Sequence, residues 1–332
     1  MKRFITMIVA VCAFFAVSAQ NPMVTLSHNG ELTFFTDLFA FESACNTAEN
    51  NDTIFLSQGD FTVRGGELLI SKRLCIIGNG YDSHILGTIR IAVDGCWNNQ
   101  CKEGVPFFDG VRLDTLSFYD EKSSLLSYLS QYNTLPAKII RCWINTLDRG
   151  GYAGTTTTYD KCYIEEEANF SAGYLDGRKV FLTNSKINSA SSLSDTEATN
   201  CNIILNNGYP LTALSCILSW KDAIEPSHHE TNTSILNTLF NFKPTDASLY
   251  QQDCYYIDNP TGSIFDDNMN CMLNLTEAGY YGRDGKTVVG IEGGESPYSE
   301  NPSMPTVDTA NSSVVYDAEN NKLKVSITIK AD

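Results

Sequence analysis

The sequence predicts an all-β solenoid, a parallel β-helix, and three observations predict it. A small residue followed two positions later by a bulky apolar one recurs along the chain: Thr115/Ser117, Cys142/Ile144, Cys162/Ile164, Ser185/Ile187, Cys201/Ile203, Cys216/Leu218, Thr238/Phe240 and Cys254/Tyr256. The spacing averages about 20 residues, the signature of a stacked repeat. A second apolar column lies three residues before the small one, at Ile139, Tyr159, Leu182, Ala198, Ala213 and Ile235, with Gln251 breaking it. The two apolar columns are therefore an odd number of residues apart. Same-face residues of one strand are an even number apart, so a bend must divide two short strands. In three repeats the bend residue is asparagine, Asn184, Asn200 or Asn237. Asparagine tolerates the left-handed backbone of a tight turn. Such a unit cannot bury its own apolar face, and stacking the units buries a continuous column.

The N-terminal elements follow in order. Lys2 and Arg3 precede an apolar run from Phe4 to Ala16, and Val17-Ser18-Ala19 has the small-residue pattern of a cleavage site. Residues 1–19 are therefore expected to be a signal peptide, cut after Ala19. The run is too short for a membrane span. Met23 to Ser27 reads as a strand. Leu38 to Ala48 reads as an amphipathic helix, with Asp37 as N-cap and Leu38, Phe39, Ala44 and Cys45 on one side. Thr53 to Ser57 alternates as a strand, Gln58-Gly59-Asp60 turns, and Leu68 to Ser71 precedes Ile76-Ile77-Gly78-Asn79-Gly80.

This opening, a helix, then "DTIFLSQGDF", then a strand ending in "IIGNG", resembles that of the pectin-lyase-like right-handed parallel β-helix family. The tail "DGKTVVGIEGG…PSMP" followed by a hairpin resembles exported bacterial β-helix proteins of undetermined role. The resemblance implies a right-handed solenoid over residues 20–294, capped over about residues 23–80. It brings no catalytic motif. Asn270 to Leu275 reads as a final repeat, Gly282 to Gly285 as a turn and Thr287 to Ile291 as a strand. Residues 295–313, rich in proline and polar residues, read as a linker, and 314–332 as a β-hairpin too small to stand alone.

Composition limits the partners. The formal net charge is −16, with 39 acidic and 23 basic residues. Such a field repels nucleic acid and other polyanions. The expected partner is a polysaccharide or cell-surface glycan, met in the periplasm, at the cell surface or in the medium, with no nucleic acid and no membrane insertion. No cofactor is expected; Ca²⁺ enters only if the chain is a polyuronate lyase, whose carboxylates hold that ion over the acidic substrate.

Candidate sites follow from the register. An enzyme of this fold needs a base with convergent carboxylates. Arg141 and Lys161 are the candidate bases, and Asp253, Asp258, Asp266 and Asp267 the candidate acids, but the bases fall early and the acids late. The residues after each small one should point outward: Leu116, Trp143, Tyr163, Lys186, Asn202, Ile217, Leu239 and Tyr255. Trp143 and Tyr163 then sit on adjacent repeats beside Arg141 and Lys161. An aromatic pair flanked by donors suits a sugar ring, whose C–H face is apolar and whose hydroxyls need partners. The two basic bend residues repel and require an acidic neighbour, for which Asp114 and Asp160 are candidates. His228-His229-Glu230 and Glu165-Glu166-Glu167 read as polar loops and no metal site is expected, with His28 and His84 far upstream. Cys96 and Cys101 bracket a short polar loop and are the candidate disulfide, while the cysteine column is expected to be reduced. Asp308-Thr309-Ala310 resembles an O-glycosylation triplet of exported bacterial proteins, with Thr309 the acceptor.

Overall fold

A computed structural model describes residues 22–91, 107–118, 137–150, 156–170, 179–193, 195–206, 208–220, 233–246, 249–257 and 264–299, with short strands beyond. Residues 1–19, expected to be a signal peptide, and Cys96, Cys101, Asp258, the His228–Glu230 segment and Thr309 lie outside the described residues. The chain is mostly β, and its strands form two long sheets of twelve and ten strands. From Thr53–Leu56 and Gly59–Ile70 to Tyr250–Gln252 and Tyr255–Tyr256, successive strands alternate between the two sheets. Each pairs in parallel with the strand one repeat away. This is the arrangement of a parallel β-helix-like fold.

The predicted columns are in register. On the twelve-stranded sheet Ile139, Tyr159, Leu182, Ala198, Ala213, Ile235 and Gln251 are successive partners. On the ten-stranded sheet Ile144, Ile164, Ile187, Ile203, Leu218, Phe240 and Tyr256 are. Nearly all of them are fully buried in one hydrophobic core. The bend between the sheets is left-handed in eight successive repeats: Gly110, Arg141, Lys161, Asn184, Asn200, Ser215, Asn237 and Asp253 all have φ between 45° and 62°.

One repeat differs from the reading of the sequence. Leu113, not Ser117, pairs with Ile144, and the small position is taken by Val111. The residue preceding Trp143 in the outward column is therefore Arg112, and Leu116 lies in the core. The bend before it is Gly110, which supplies the left-handed turn without an asparagine to mark it.

The cap also differs in detail. The helix spans Ala40–Thr47 and buries Ala40, Phe41, Ala44 and Cys45. Asp37 accepts a hydrogen bond from the Phe39 amide at 2.8 Å, but Leu38 precedes the helix and is exposed. At the other end, Asn270 to Leu275 is not a further repeat and Thr287 to Ile291 is not a strand. The chain from Ile264 turns back over the sheet, with one short helix, Leu275–Ala278. The terminal hairpin pairs Ser313–Asp317 with Lys322–Ser326. No helix among the described residues is long and apolar enough to cross a membrane.

Cys142, Cys162, Cys201 and Cys216 are buried and free, and Cys254 continues the column half-buried. Burial pushes the Cys142 thiol up to about 12, so it stays protonated and unreactive. The eight free cysteines of the described residues set a lower bound for thiol titration of the unfolded, non-reduced protein: eight if Cys96 and Cys101 are bridged, ten in the mature chain if they are not. A titre of four or fewer would overturn the reduced column.

Candidate functional site

The outward face of the ten-stranded sheet carries one continuous column: Asp60, His84, Arg112, Trp143, Tyr163, Lys186, Asn202, Ile217, Leu239 and Tyr255. Its tail half is covered. Ile264, Phe265, Met269, Leu275 and Val289 pack on Tyr163, Ile217 and Leu239 in a second hydrophobic cluster. Polar outward residues hold the same segment. Lys186, 1% exposed, donates from Nζ to the Asn268 carbonyl at 2.8 Å and to Asn270 Oδ1 at 2.7 Å. Asn202, fully buried, donates to the Met269 carbonyl at 2.8 Å and accepts from the Ile291 amide at 3.3 Å. Asn184 donates to the Gly293 carbonyl at 2.9 Å, so a bend residue also ties the segment down. The close approach needs glycine: a β-carbon on Gly290 would strike Asn202 and Ile217.

This segment corrects two expectations. Asn202 points away from the sheet, as the register requires, yet it is buried. The linker expected from residue 295 stays docked at least to Tyr298, whose hydroxyl meets that of Tyr81 at 3.0 Å. Lys161 Nζ donates to Ser296 Oγ at 2.6 Å.

The aromatic pair forms, but it is not an open platform. Trp143 and Tyr163 are register partners with ring centroids 5.3 Å apart. Tyr163 is only 8% exposed. Trp143 is half-buried, with the Arg112 guanidinium 4.3 Å over its ring and Tyr81 edge-on at 5.4 Å. Its indole N–H donates to Glu165 Oε2 at 2.9 Å. The ring faces that a sugar would stack on are occupied by the protein's own groups.

The proposed bases are engaged as well. Arg141 donates twice to Asp109, at 2.8 and 2.6 Å. That carboxylate is the main acidic neighbour; the charge of Asp160 adds to it, while Asp114 pairs with His84 instead. The hydrogen bonds to Asp109 raise the Arg141 pKa further, so the guanidinium stays charged and cannot act as a base. Asp266 accepts from the Asn270 and Asn268 amides, each at 2.9 Å, and so organises the loop that receives Lys186. Asp267 is exposed. Nothing brings these two carboxylates to Arg141 or Lys161.

The head half of the column is different. His84 Nε2 lies 2.7 Å from Asp114 Oδ1, and its Nδ1 lies 3.5 Å from Asp60. Asp114 also accepts from the Gly87 amide at 3.0 Å and from Asn145 Nδ2 at 3.3 Å. Among the described residues, Arg112 Nε and Asn145 Oδ1 are buried without a hydrogen-bond partner, as are single atoms of Thr157, Trp220 and Asn241. Around Arg112 and Asn145, His84 is 18%, Asp114 33% and Asp60 70% exposed at the side chain. His84 and Arg112 are absent from the sequence-level site because the first repeat is misplaced there by a few residues. Pairing Val111 with Cys142 would have put Arg112 before Trp143 and His84 before Arg112. Among the described residues, no group of three or more His, Cys, Asp or Glu side chains is placed to hold a metal ion. Comparison with known proteins returns no match: no family model, no curated protein and no solved structure.

Two outcomes test the covering segment. Ile203→Ala is expected to cost about 2–5 kcal/mol in denaturant unfolding, as a core truncation does. Asn202→Ala, although outward, is expected to cost about 1–3 kcal/mol, because it strands the Met269 carbonyl and the Ile291 amide. A loss below about 0.5 kcal/mol at Asn202, the range of ordinary surface changes, would mean the segment does not bind there.

The same loop carries a pH dependence. Hydrogen bonds to the Asp266 carboxylate lower its pKa from the ordinary 3.8. A carboxylate depressed on folding stabilises the fold above its unfolded pKa, and that contribution disappears as pH falls through the folded value. Hydrogen exchange in residues 264–270 is therefore expected to quicken as pH drops below 3.8, beyond the intrinsic trend of unstructured peptide. Asp266→Asn should abolish that extra acceleration, and an unchanged profile would refute the role.

Proposed function

We propose that this chain is an exported right-handed parallel β-helix protein of the pectin-lyase-like kind that binds a glycan, without transforming it, on the open head half of its outward face. The observation that carries the reading is a polar cluster left partly open on the outward face, His84 with Asp60 and Asp114, beside the Arg112 guanidinium laid over Trp143. Its carboxylates accept and its guanidinium donates, and a sugar hydroxyl can answer both. A glycan supplies hydroxyls along an extended chain, and a stacked sheet face is an extended surface to receive it.

Alternation of parallel strands between two sheets supports a closed solenoid, and the leader over residues 1–19 supports export to the periplasm, the surface or the medium. The −16 charge favours glycan over nucleic acid. Binding without turnover is favoured because Arg141 is sealed against Asp109 and Asp266 serves its own loop. The alternative, a polysaccharide lyase or hydrolase, has one observation in its favour, the His84–Asp114 pair, in which a carboxylate orients an imidazole as in acid–base catalysis.

A glycan array run beside turnover assays on the same polysaccharides tests the reading. Binding without product release is expected, with Arg112→Ala weakening it about tenfold or more at unchanged circular dichroism. Binding that survives Arg112→Ala intact, or an array with no ligand, would overturn the site. Product release lost in His84→Asn would replace binding by catalysis.

A further inference from the structure

The head of the stack carries a second surface, on the other sheet. Val24 and Leu26 are buried, so Thr25 and Ser27, which alternate with them, face outward. In register, Phe34 and Phe55 flank Thr25, Ile77 follows Phe55, and Leu32 lies beside Ser27. Leu32 is 58%, Phe34 59% and Phe55 42% exposed. Three large apolar side chains on one outward face mark a surface that something covers.

The returning chain runs toward this face. Ile291 meets Asn202, Gly293 meets Asn184, Ser296 meets Lys161 and Tyr298 meets Tyr81, each anchor nearer the head than the one before. Tyr81 follows Ile77 by four residues, and Ile77 begins the outward row that continues through Phe55 and Thr25 to Phe34. Fifteen residues then lead from Tyr298 to Ser313, where the terminal hairpin starts. They can span about 50 Å. Phe34 lies three strands from Ile77, a distance of about 15 Å.

The hairpin needs what this face offers. Two strands alone are marginally stable in water. Its register pairs Val314 with Val325 and Tyr316 with Leu323, four apolar positions on one face. Charge favours the hairpin over a second copy of the head. Residues 22–63 contain six acidic residues and no lysine or arginine, so two heads repel. Residues 320–331 contain three lysines and no acidic residue. We infer that the terminal hairpin folds back on its own chain and lays the face carrying Val314, Tyr316, Leu323 and Val325 over Leu32, Phe34 and Phe55, sheet against sheet. The tether keeps the hairpin at an effective concentration on the order of millimolar, so the contact forms within one chain.

Hydrogen exchange of the full mature chain, read over residues 313–326, tests the contact. Protection of about a hundredfold or more over unstructured peptide is expected, beyond what a lone hairpin reaches. It should not vary with protein concentration. Phe34→Asp puts a charge under the apolar cover, so protection over 313–326 should fall about tenfold or more, with exchange over 139–205 unchanged. If that substitution also disturbs the cap, Phe55→Asp, two strands away, gives the same reading. Exchange at the unstructured rate in the native chain, or protection that survives both substitutions, would overturn the inference. Protection lost on dilution, or a dimer broken by Phe34→Asp, would assign the face to a second copy and overturn it as well.

Discussion

The whole architecture depends on a backbone constraint at one position per repeat. Between the two sheets the chain must reverse its side-chain phase, and it does so with a single left-handed residue. Arg141, Lys161, Asn184, Asn200, Ser215, Asn237 and Asp253 all adopt that conformation with side chains that pay a steric penalty for it. The penalty is offset by stacking. Except at Asp253, in the last repeat, the amide of each bend bonds to a carbonyl of the next repeat, as from Arg141 to Asp160, Lys161 to Thr183 and Asn184 to Thr199. The amide two residues later bonds to the preceding repeat, as from Tyr163 to Cys142 and Lys186 to Cys162. With the turn fixed, the following residue faces the core in the crowded inside corner. That accounts for Cys, Ser and Thr there, whose Sγ or Oγ can donate back to a nearby carbonyl.

The same constraint decides what the outer face displays. Residues just past the corner point away from the core in every repeat, whatever their chemistry. Toward the tail they are Ile217 and Leu239, apolar side chains on an outward column, and the chain must cover them. The returning segment does so, and the polar residues at the boundary, Lys186 and Asn202, supply the hydrogen bonds its irregular backbone needs. The buried ammonium of Lys186 bonds two neutral oxygens, with the Asp266 carboxylate near enough to feel its charge and the Tyr298 ring 4.6 Å away, a setting that suits a cation better than an apolar contact would.

Periodicity made the fold legible, and composition left the site obscure. From Cys142 to Cys254 the small-residue column is regular enough that every register pair follows from it. The signal weakens where Val111 replaces a cysteine and Gly110 replaces an asparagine, and there the sequence points instead to Thr115. A shift of a few residues hides Arg112 and His84, since the outward column is then read from Leu116. Burial of that column was equally illegible. Local pattern gives the direction of Tyr163 and Asn202, but not that a segment distant in sequence, from Ile264 onward, lies over them. Asp109 escaped as the partner of Arg141 because the ion pair spans repeats whose separation includes a long insertion.

An outward face divided in this way assigns its two halves different physical roles. In the covered half, the polar groups named here are matched by the returning chain: Asn184 by Gly293, Asn202 by Met269 and Ile291, Ser215 by Arg283. In the head half, His84 and Asp114 match each other, while Arg112 Nε and Asn145 Oδ1 find no partner among the described residues. Thr157, Trp220 and Asn241 hold buried atoms in the same unpartnered state. The two halves therefore differ in exposure: the tail half hands its outward polar groups to the returning chain, while His84, Asp60 and Asp114 keep theirs partly open to solvent.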